Sequence, residues 1–161
     1  AGALPFAAEF DVIGAFDVPE HIREDELVLA QFHRALRPGG GVLLTVPQHP
    51  SLWSSQDDLA RHVRRYRRGE LEAKVRAAGF EVAWSSSFMV PLLPLLWLTR
   101  RRRLSRHAPL EQAHQELAPS PLANAMLAGL LRAERALLAI GVKLPVGSSR
   151  MVVARRKDPR P

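Results

Sequence analysis

Residues 24–46, EDELVLAQFHRALRPGGGVLLTV, decide how the chain is to be read. Val28, Leu29, Phe32, Ala35 and Leu36 recur at helical spacing and would form one apolar stripe over 24–36. Glu24, Asp25 and Glu26 crowd the first turn, while His33, Arg34 and Arg37 crowd the last, which suits the helix dipole at both ends. Pro38-Gly39-Gly40 then supplies a stop. Gly41–Val46 reads as a strand buried on both faces and ended by Pro47. Just upstream, FDVIGAF at 10–16 is a second short apolar run of the same kind. Strand, helix and strand in this order make a βαβ unit, whose strands are parallel neighbours.

The same punctuation continues outward. Glu70–Ala78 predicts a helix with Leu71, Val75 and Ala78 on one side and Gly79 at its C-terminus. Phe80, Val82 and Trp84 then alternate as a strand. Ser120 as N-cap and Pro121 at the first helical position open a long helix. Its apolar stripe is Leu122, Met126, Leu130, Ala133, Leu137 and Ile140, and Gly141 closes it. Arg150–Ala154 is the expected last strand. The order is that of an α/β sheet protein.

At 161 residues, 47% of them apolar, the chain suffices for one domain with a real core. The absence of cysteine excludes disulfides, thiolate metal sites and a cysteine nucleophile. That fits a reducing cytoplasm. AGALPFAAEFDV also lacks the basic start and apolar run of a signal peptide. The net charge of +7 is almost wholly arginine, clustered at 61–68, 100–106 and 155–160. Separate solvated clusters argue against a nucleic-acid partner more than for one.

Four stretches, in fixed order, carry a resemblance. LPF (4–6) with FDVIGAFDVPEHI (10–22), LRPGGGVLLTVP (36–47), HVRRYRRGEL (62–71) with AAGFEV (77–82), and LPVGSSRMVVARRK (144–157) are similar to successive parts of a class I S-adenosylmethionine-dependent methyltransferase of the small-molecule type. The resemblance implies a doubly wound, Rossmann-like α/β sheet. This chain would hold its second half, strands four to seven, with the last strand antiparallel. The family's cofactor signature is a glycine-rich loop after the first strand, with an acidic residue ending the second. Gly39-Gly40-Gly41 precedes a strand instead, so it is not that loop. The first three strands are therefore expected upstream of Ala1.

Candidate site residues follow from the same resemblance. Ala3 and Leu4 follow the adenine-contacting position; Phe16, Asp17 and Val18 end the fourth strand and would face S-adenosylmethionine. Trp53, Asp57, His62, Arg65 and Tyr66 lie in the connection after the fifth strand, where the family places acceptor contacts. His62 and Tyr66 are favoured there, whereas Arg61, Arg64, Arg67 and Arg68 read more simply as a solvated face. His21, in a PEHI turn, is the candidate catalytic group, since an imidazole titrates near neutral pH. Glu20 beside it hints at a metal, but no other ligand stands nearby in sequence, so no metal is expected.

The apolar run Phe88–Leu98 interrupts the pattern within an expected insert at 85–119. It is too short to span a bilayer, which takes about 20 residues. It reads either as a cap over the site or, with Arg100–Arg103, as a peripheral membrane contact through 88–103. The expected activity is methyl transfer to a small-molecule or lipid-linked acceptor in the cytoplasm. The alternative is a noncatalytic methyltransferase-like interaction or membrane-surface module. An unpaired, apolar strand edge at Val12–Phe16 implies a homo-oligomer or a partner carrying the missing half.

Overall fold

In this computed structural model, residues 4–102 and 120–157 are described, with side chains excepted for 98–102. Ala3 and 103–119, about half of the expected insert, lie outside the described residues.

Four strands, β1 (Phe10–Phe16), β2 (Leu36–Pro47), β3 (Phe80–Phe88) and β4 (Ser149–Arg156), form one sheet in the order β1-β2-β4-β3. β1 and β2 run parallel, joined by helix α1 (Asp25–Ala35), as the βαβ reading requires. β4 is antiparallel to both of its neighbours and sits between β2 and β3, bearing out the antiparallel last strand. Among the described residues the other α-helices are the short α2 (Ser55–Leu59), α3 (Glu70–Ala77), α4 (Leu92–Arg102) and α5 (Pro121–Ala139).

The core lies on one face of this sheet. Val42, Leu44 and Val46 alternate inward from β2, and Val152 and Ala154 from β4. They meet Leu29 of α1 and Leu71 and Val75 of α3. Period two in the strands and period near four in the helices place these residues together.

Three expectations need correction. The helix stop is not Pro38-Gly39-Gly40: α1 ends at Ala35, because Leu36 is already extended with ψ 147°. Phe10 pairs with Leu36 and Val12 with Gly41, so Asp11 alone opposes the Arg37–Gly40 excursion. Gly40 is confined there, since a Cβ would stand 2.9 Å from the Arg37 carbonyl oxygen and 3.0 Å from that of Asp11. The glycines shape a bulge within the strand pair rather than a helix terminus.

β1 is not buried on both faces. Ala15 is buried and Ile13 half-buried, but Val12 and Phe16 on the opposite side are 68% and 58% exposed. β1 is an edge of the described sheet, and α1 and α3 cover only the other face. The α5 stripe is left uncovered: Leu122, Met126, Leu130, Leu137 and Ile140 are all exposed, and Glu134 is the helix's buried residue. The helix start itself is as read, with Ser120 Oγ accepting from the Ala123 N–H at 3.3 Å.

The expected insert begins later than residue 85. β3 continues through Phe88, with Ser85 opposite Val152 and Ser87 opposite Arg150. Arg150 donates to the hydroxyls of Ser85 at 2.9 Å and Ser87 at 3.2 Å, which makes a serine run compatible with a partly buried strand. Pro94 falls in the first turn of α4, where its missing N–H costs no helical bond. Among the described residues no helix is long and apolar enough to cross a membrane.

Candidate active site

The carboxyl ends of β1 and β2 share one rim, the usual ligand side of such sheets. At that rim Asp17 is held in the left-handed region, φ 52°, a conformation that L residues seldom adopt. Thr45 of β2 fixes it: the Asp17 N–H donates to the Thr45 carbonyl at 3.1 Å, and the Thr45 hydroxyl lies 3.3 Å from Asp17 Oδ1. The sharp turn leaves Phe16 and Val18 exposed, which suits the expected cofactor side. It also sends Pro19–His21 into a 3-10 turn that buries Glu20.

The long connection after β2 folds back onto this turn. Tyr66 N–H donates to the Pro47 carbonyl at 2.9 Å, and His49 N–H donates to the Tyr66 carbonyl at 3.0 Å. The Val63 N–H donates to the Glu20 carbonyl at 2.8 Å. That bond brings His62 against His21, with ring centroids 4.7 Å apart in an edge-to-face arrangement.

Asp57 organises the connection from inside. One carboxylate oxygen accepts from Arg65 Nε at 2.7 Å and lies 3.0 Å from His62 Nδ1. The other accepts from the Ser54 backbone N–H at 2.8 Å and from its hydroxyl at 3.1 Å. Burial alone would raise the Asp57 pKa; the Arg65 guanidinium and His62 outweigh it and hold the group below the usual carboxylate range. In the neutral ring, a carboxylate at Nδ1 favours the tautomer with the proton on that nitrogen and the lone pair on Nε2.

Glu20 is the residue that the sequence reading passed over as a neighbour of His21. Its side chain is 0% exposed, and neither carboxylate oxygen has a hydrogen-bond partner. Burial pushes its pKa up to about 7 against the lowering effect of its own backbone amide; Asp17 adds to the rise and Arg65 opposes it. One ligand atom each from Glu20, His21 and His62 lie within 4.8 Å of one another. Sequence alone placed no third ligand beside the Glu-His pair; the fold supplies one from the next connection.

The other expected residues fall in different places. Trp53 is partly exposed, and its indole N–H donates to Asp58 at 2.9 Å. Arg65 is committed to Asp57 and to the Gln48 carbonyl, 3.2 Å away. Tyr66 is fully buried, and its hydroxyl donates to Asp25 at 2.7 Å, so it holds the scaffold and presents nothing to a ligand. The Leu4 N–H donates to Gln31 Oε1 at 2.8 Å, toward the C-terminal end of α1 and away from the Asp17 rim. A cavity of about 710 Å³ lies at the far end of the sheet, where Phe80, Val82 and Arg156 contribute to its walls, and does not include this cluster.

The mixed sheet, the βαβ start and the rim site define a class I S-adenosylmethionine-dependent methyltransferase fold. The chain belongs to the family described as "Methyltransferase domain", whose sequence pattern matches residues 1–84, just over half of it. No curated protein matches the chain. Solved structures show the fold. Phosphoethanolamine N-methyltransferase 2 of Haemonchus contortus, in complex with S-adenosyl-L-methionine, is 19% identical with a TM-score of 0.50, over 94% of this chain and 34% of its own. A SAM-dependent methyltransferase of Thermotoga maritima is 14% identical with a TM-score of 0.55, over 96% of this chain and 59% of its own. A geranyl diphosphate methyltransferase, also with SAM, is 16% identical with a TM-score of 0.54, over 95% and 54%. The chain thus spans between about a third and three-fifths of the length of these structures.

Proposed function

We propose that the chain carries the acceptor side of an S-adenosylmethionine-dependent methyltransferase acting on a small-molecule or lipid-linked acceptor. One observation supports this above the rest: the strained Asp17 turn delivers His21 to the β1 rim, and the following connection delivers His62 to the same place. Strain held at a ligand rim is a mark of function in an otherwise relaxed fold. When bound, S-adenosylmethionine supplies a methyl group already activated on its sulfonium. Exposed Phe16 and Val18 beside Asp17 fit its methionine and adenine portions. The glycine-rich loop that would complete its site is absent from the 161 residues.

The protein's remaining task is to align a nucleophile and receive its proton. His21, exposed and set edge-to-face against His62, is placed to orient the acceptor and accept that proton. The test is methyl transfer by the protein in a form that carries its cofactor loop. His21→Ala and His62→Ala should each lower turnover by roughly 10²-fold or more, the usual worth of a positioned acid or base. Affinity for S-adenosylmethionine should stay within twofold. Equal loss of cofactor affinity in both variants would count against the placement. The 161-residue chain by itself should bind S-adenosylmethionine more weakly than micromolar, measured by titration calorimetry.

The exposed α5 stripe favours a second reading, a noncatalytic module that docks through Leu122, Met126 and Leu130. Absence of methyl transfer by the loop-bearing form, together with binding to anionic vesicles, would favour it.

A further inference from the structure

We propose that Glu20, His21 and His62 form a binding site for one divalent first-row transition-metal ion. The inference deepens the acceptor-site reading above and rests on it for its role, though not for its test.

The strongest support is the state of Glu20. Buried polar groups in folded proteins almost always find a hydrogen-bond partner. This carboxylate is fully buried, yet both oxygens lack one. The nearest guanidinium to be expected, that of Arg65, is committed to Asp57 and the Gln48 carbonyl. An orphaned carboxyl group beside two imidazoles is what a cation site looks like before its ion is counted.

His62 supplies an independent argument. Histidine ligands commonly pass their second ring nitrogen to a carboxylate, which fixes the tautomer and makes the free nitrogen more basic. Asp57 does this for His62, 3.0 Å from Nδ1, and is itself anchored by Ser54 and Arg65. The orienting shell is therefore built, and built into the interior, where Asp57 is 1% exposed.

Geometry and donor type narrow the ion. The three donor atoms lie within 4.8 Å of one another. Metal–ligand bonds of about 2.0–2.2 Å around a tetrahedral ion place donors roughly 3.4 Å apart, so a closure on the order of an ångström is needed. His21 is exposed and can rotate to provide it. Two imidazoles with one carboxylate suit zinc, cobalt, nickel or iron(II), and suit magnesium or calcium poorly, since those ions prefer oxygen alone. Three protein donors leave coordination positions for water or for an oxygen of the acceptor. With an ion bound, His21 would position the acceptor through that ion, and the proton-accepting role given to it above would belong to the metal-free site.

The experiment is titration of the EDTA-treated 161-residue chain with Zn²⁺ by calorimetry and with Co²⁺ by visible absorption, with neither cofactor nor acceptor present. One equivalent should bind at micromolar or tighter affinity, with cobalt d–d bands. His62→Ala, Glu20→Gln and His21→Ala should each weaken binding at least tenfold. Asp57→Asn should weaken it roughly 10- to 100-fold, the range for an orienting partner. His33→Gln, outside the cluster, should leave it unchanged. Circular dichroism of the metal-free variants separates loss of the site from loss of the fold, and His21→Ala, at an exposed position, keeps the test open if Glu20→Gln fails to fold. Wild-type affinity weaker than about 100 μM, or binding unaltered by His21→Ala and His62→Ala, overturns the proposal. Methyl transfer through an unliganded His21 would survive that outcome, and its own failure would leave the metal affinity standing.

Discussion

The hydroxyl of Tyr66 donates a 2.7 Å hydrogen bond to Asp25, joining the end of the long connection to the first turn of α1 in the interior. Lys74 Nζ of α3 reaches both oxygens of the same carboxylate, at 2.8 and 2.7 Å, and Arg64 adds a contact at 3.0 Å. One acidic residue therefore locks α1, α3 and the connection that carries His62. Burial and the bond to Asp25 together raise the Tyr66 pKa, so the phenol stays a donor.

Tyr66→Phe tests that lock. It removes one buried hydrogen bond to a charged acceptor but leaves Lys74 and Arg64 in place. We expect a loss of about 1.5–3 kcal/mol in urea unfolding, the range for bonds to charged groups. A change below about 0.5 kcal/mol, the scale of ordinary surface substitutions, would show that the bond is not what holds the connection down.

Acid should loosen the same lock. Burial alone would raise the Asp25 pKa, but Lys74, Tyr66 and Arg64 more than offset it and leave it below 3.8. A depressed folded-state pKa means stability that is present above the unfolded-state value and lost as pH falls through the folded one. Wild type should therefore exceed Asp25→Asn in stability at pH 7, and the gap should narrow steadily below about pH 4. A gap that is constant from pH 7 to pH 3 would contradict this origin.

Much of this scaffold is legible in the residues. Acids then bases along 24–37, the Ser120-Pro121 start and Gly79 after Ala78 mark elements through local chemistry, and local chemistry survives folding. Parallel β1–β2 and the antiparallel last strand follow once the family pattern is seen. The site was less legible because its parts are distant. Tyr66 and His62 look alike as polar aromatics in one connection, yet only the fold shows one turned to Asp25 and the other set beside His21. Glu20 carries no sequence mark of its burial. The α5 stripe was legible as a face, though helical spacing does not report what covers it.

Two glycines should respond in opposite directions. At Gly147 a Cβ would stand 2.2 Å from the Phe88 carbonyl oxygen and 2.7 Å from the Phe88 backbone nitrogen. The turn before β4 has no room, and Gly147→Ala should cost on the order of 2–4 kcal/mol in thermal or urea unfolding. Gly129, inside α5, has nothing within 4 Å. Gly129→Ala should stabilise by about 0.5–1 kcal/mol through helix propensity. Similar effects at both positions would mean that the close approach of Gly147 to Phe88 is not retained in solution.

The β1 edge should drive self-association. Along Val12–Phe16 the strand pairs with β2 on one side, and no described strand pairs on the other. Val12 is 68% exposed and Phe16 58%, so an apolar surface accompanies the unpaired backbone. Such edges recruit a second chain unless a charge blocks approach. At the start of this stretch Asp11 is occupied by Arg37, whose Nη1 lies 2.9 Å from both carboxylate oxygens. We therefore expect sedimentation at micromolar concentration to show a species heavier than the 17.9 kDa chain. Val12→Lys places a charge on the exposed side without touching the core, so it should shift the chain toward monomer while leaving the thermal unfolding of that monomer nearly unchanged. A wild-type chain that sediments as a monomer, or a Val12→Lys variant that associates as strongly as wild type, would show that the edge is not the contact.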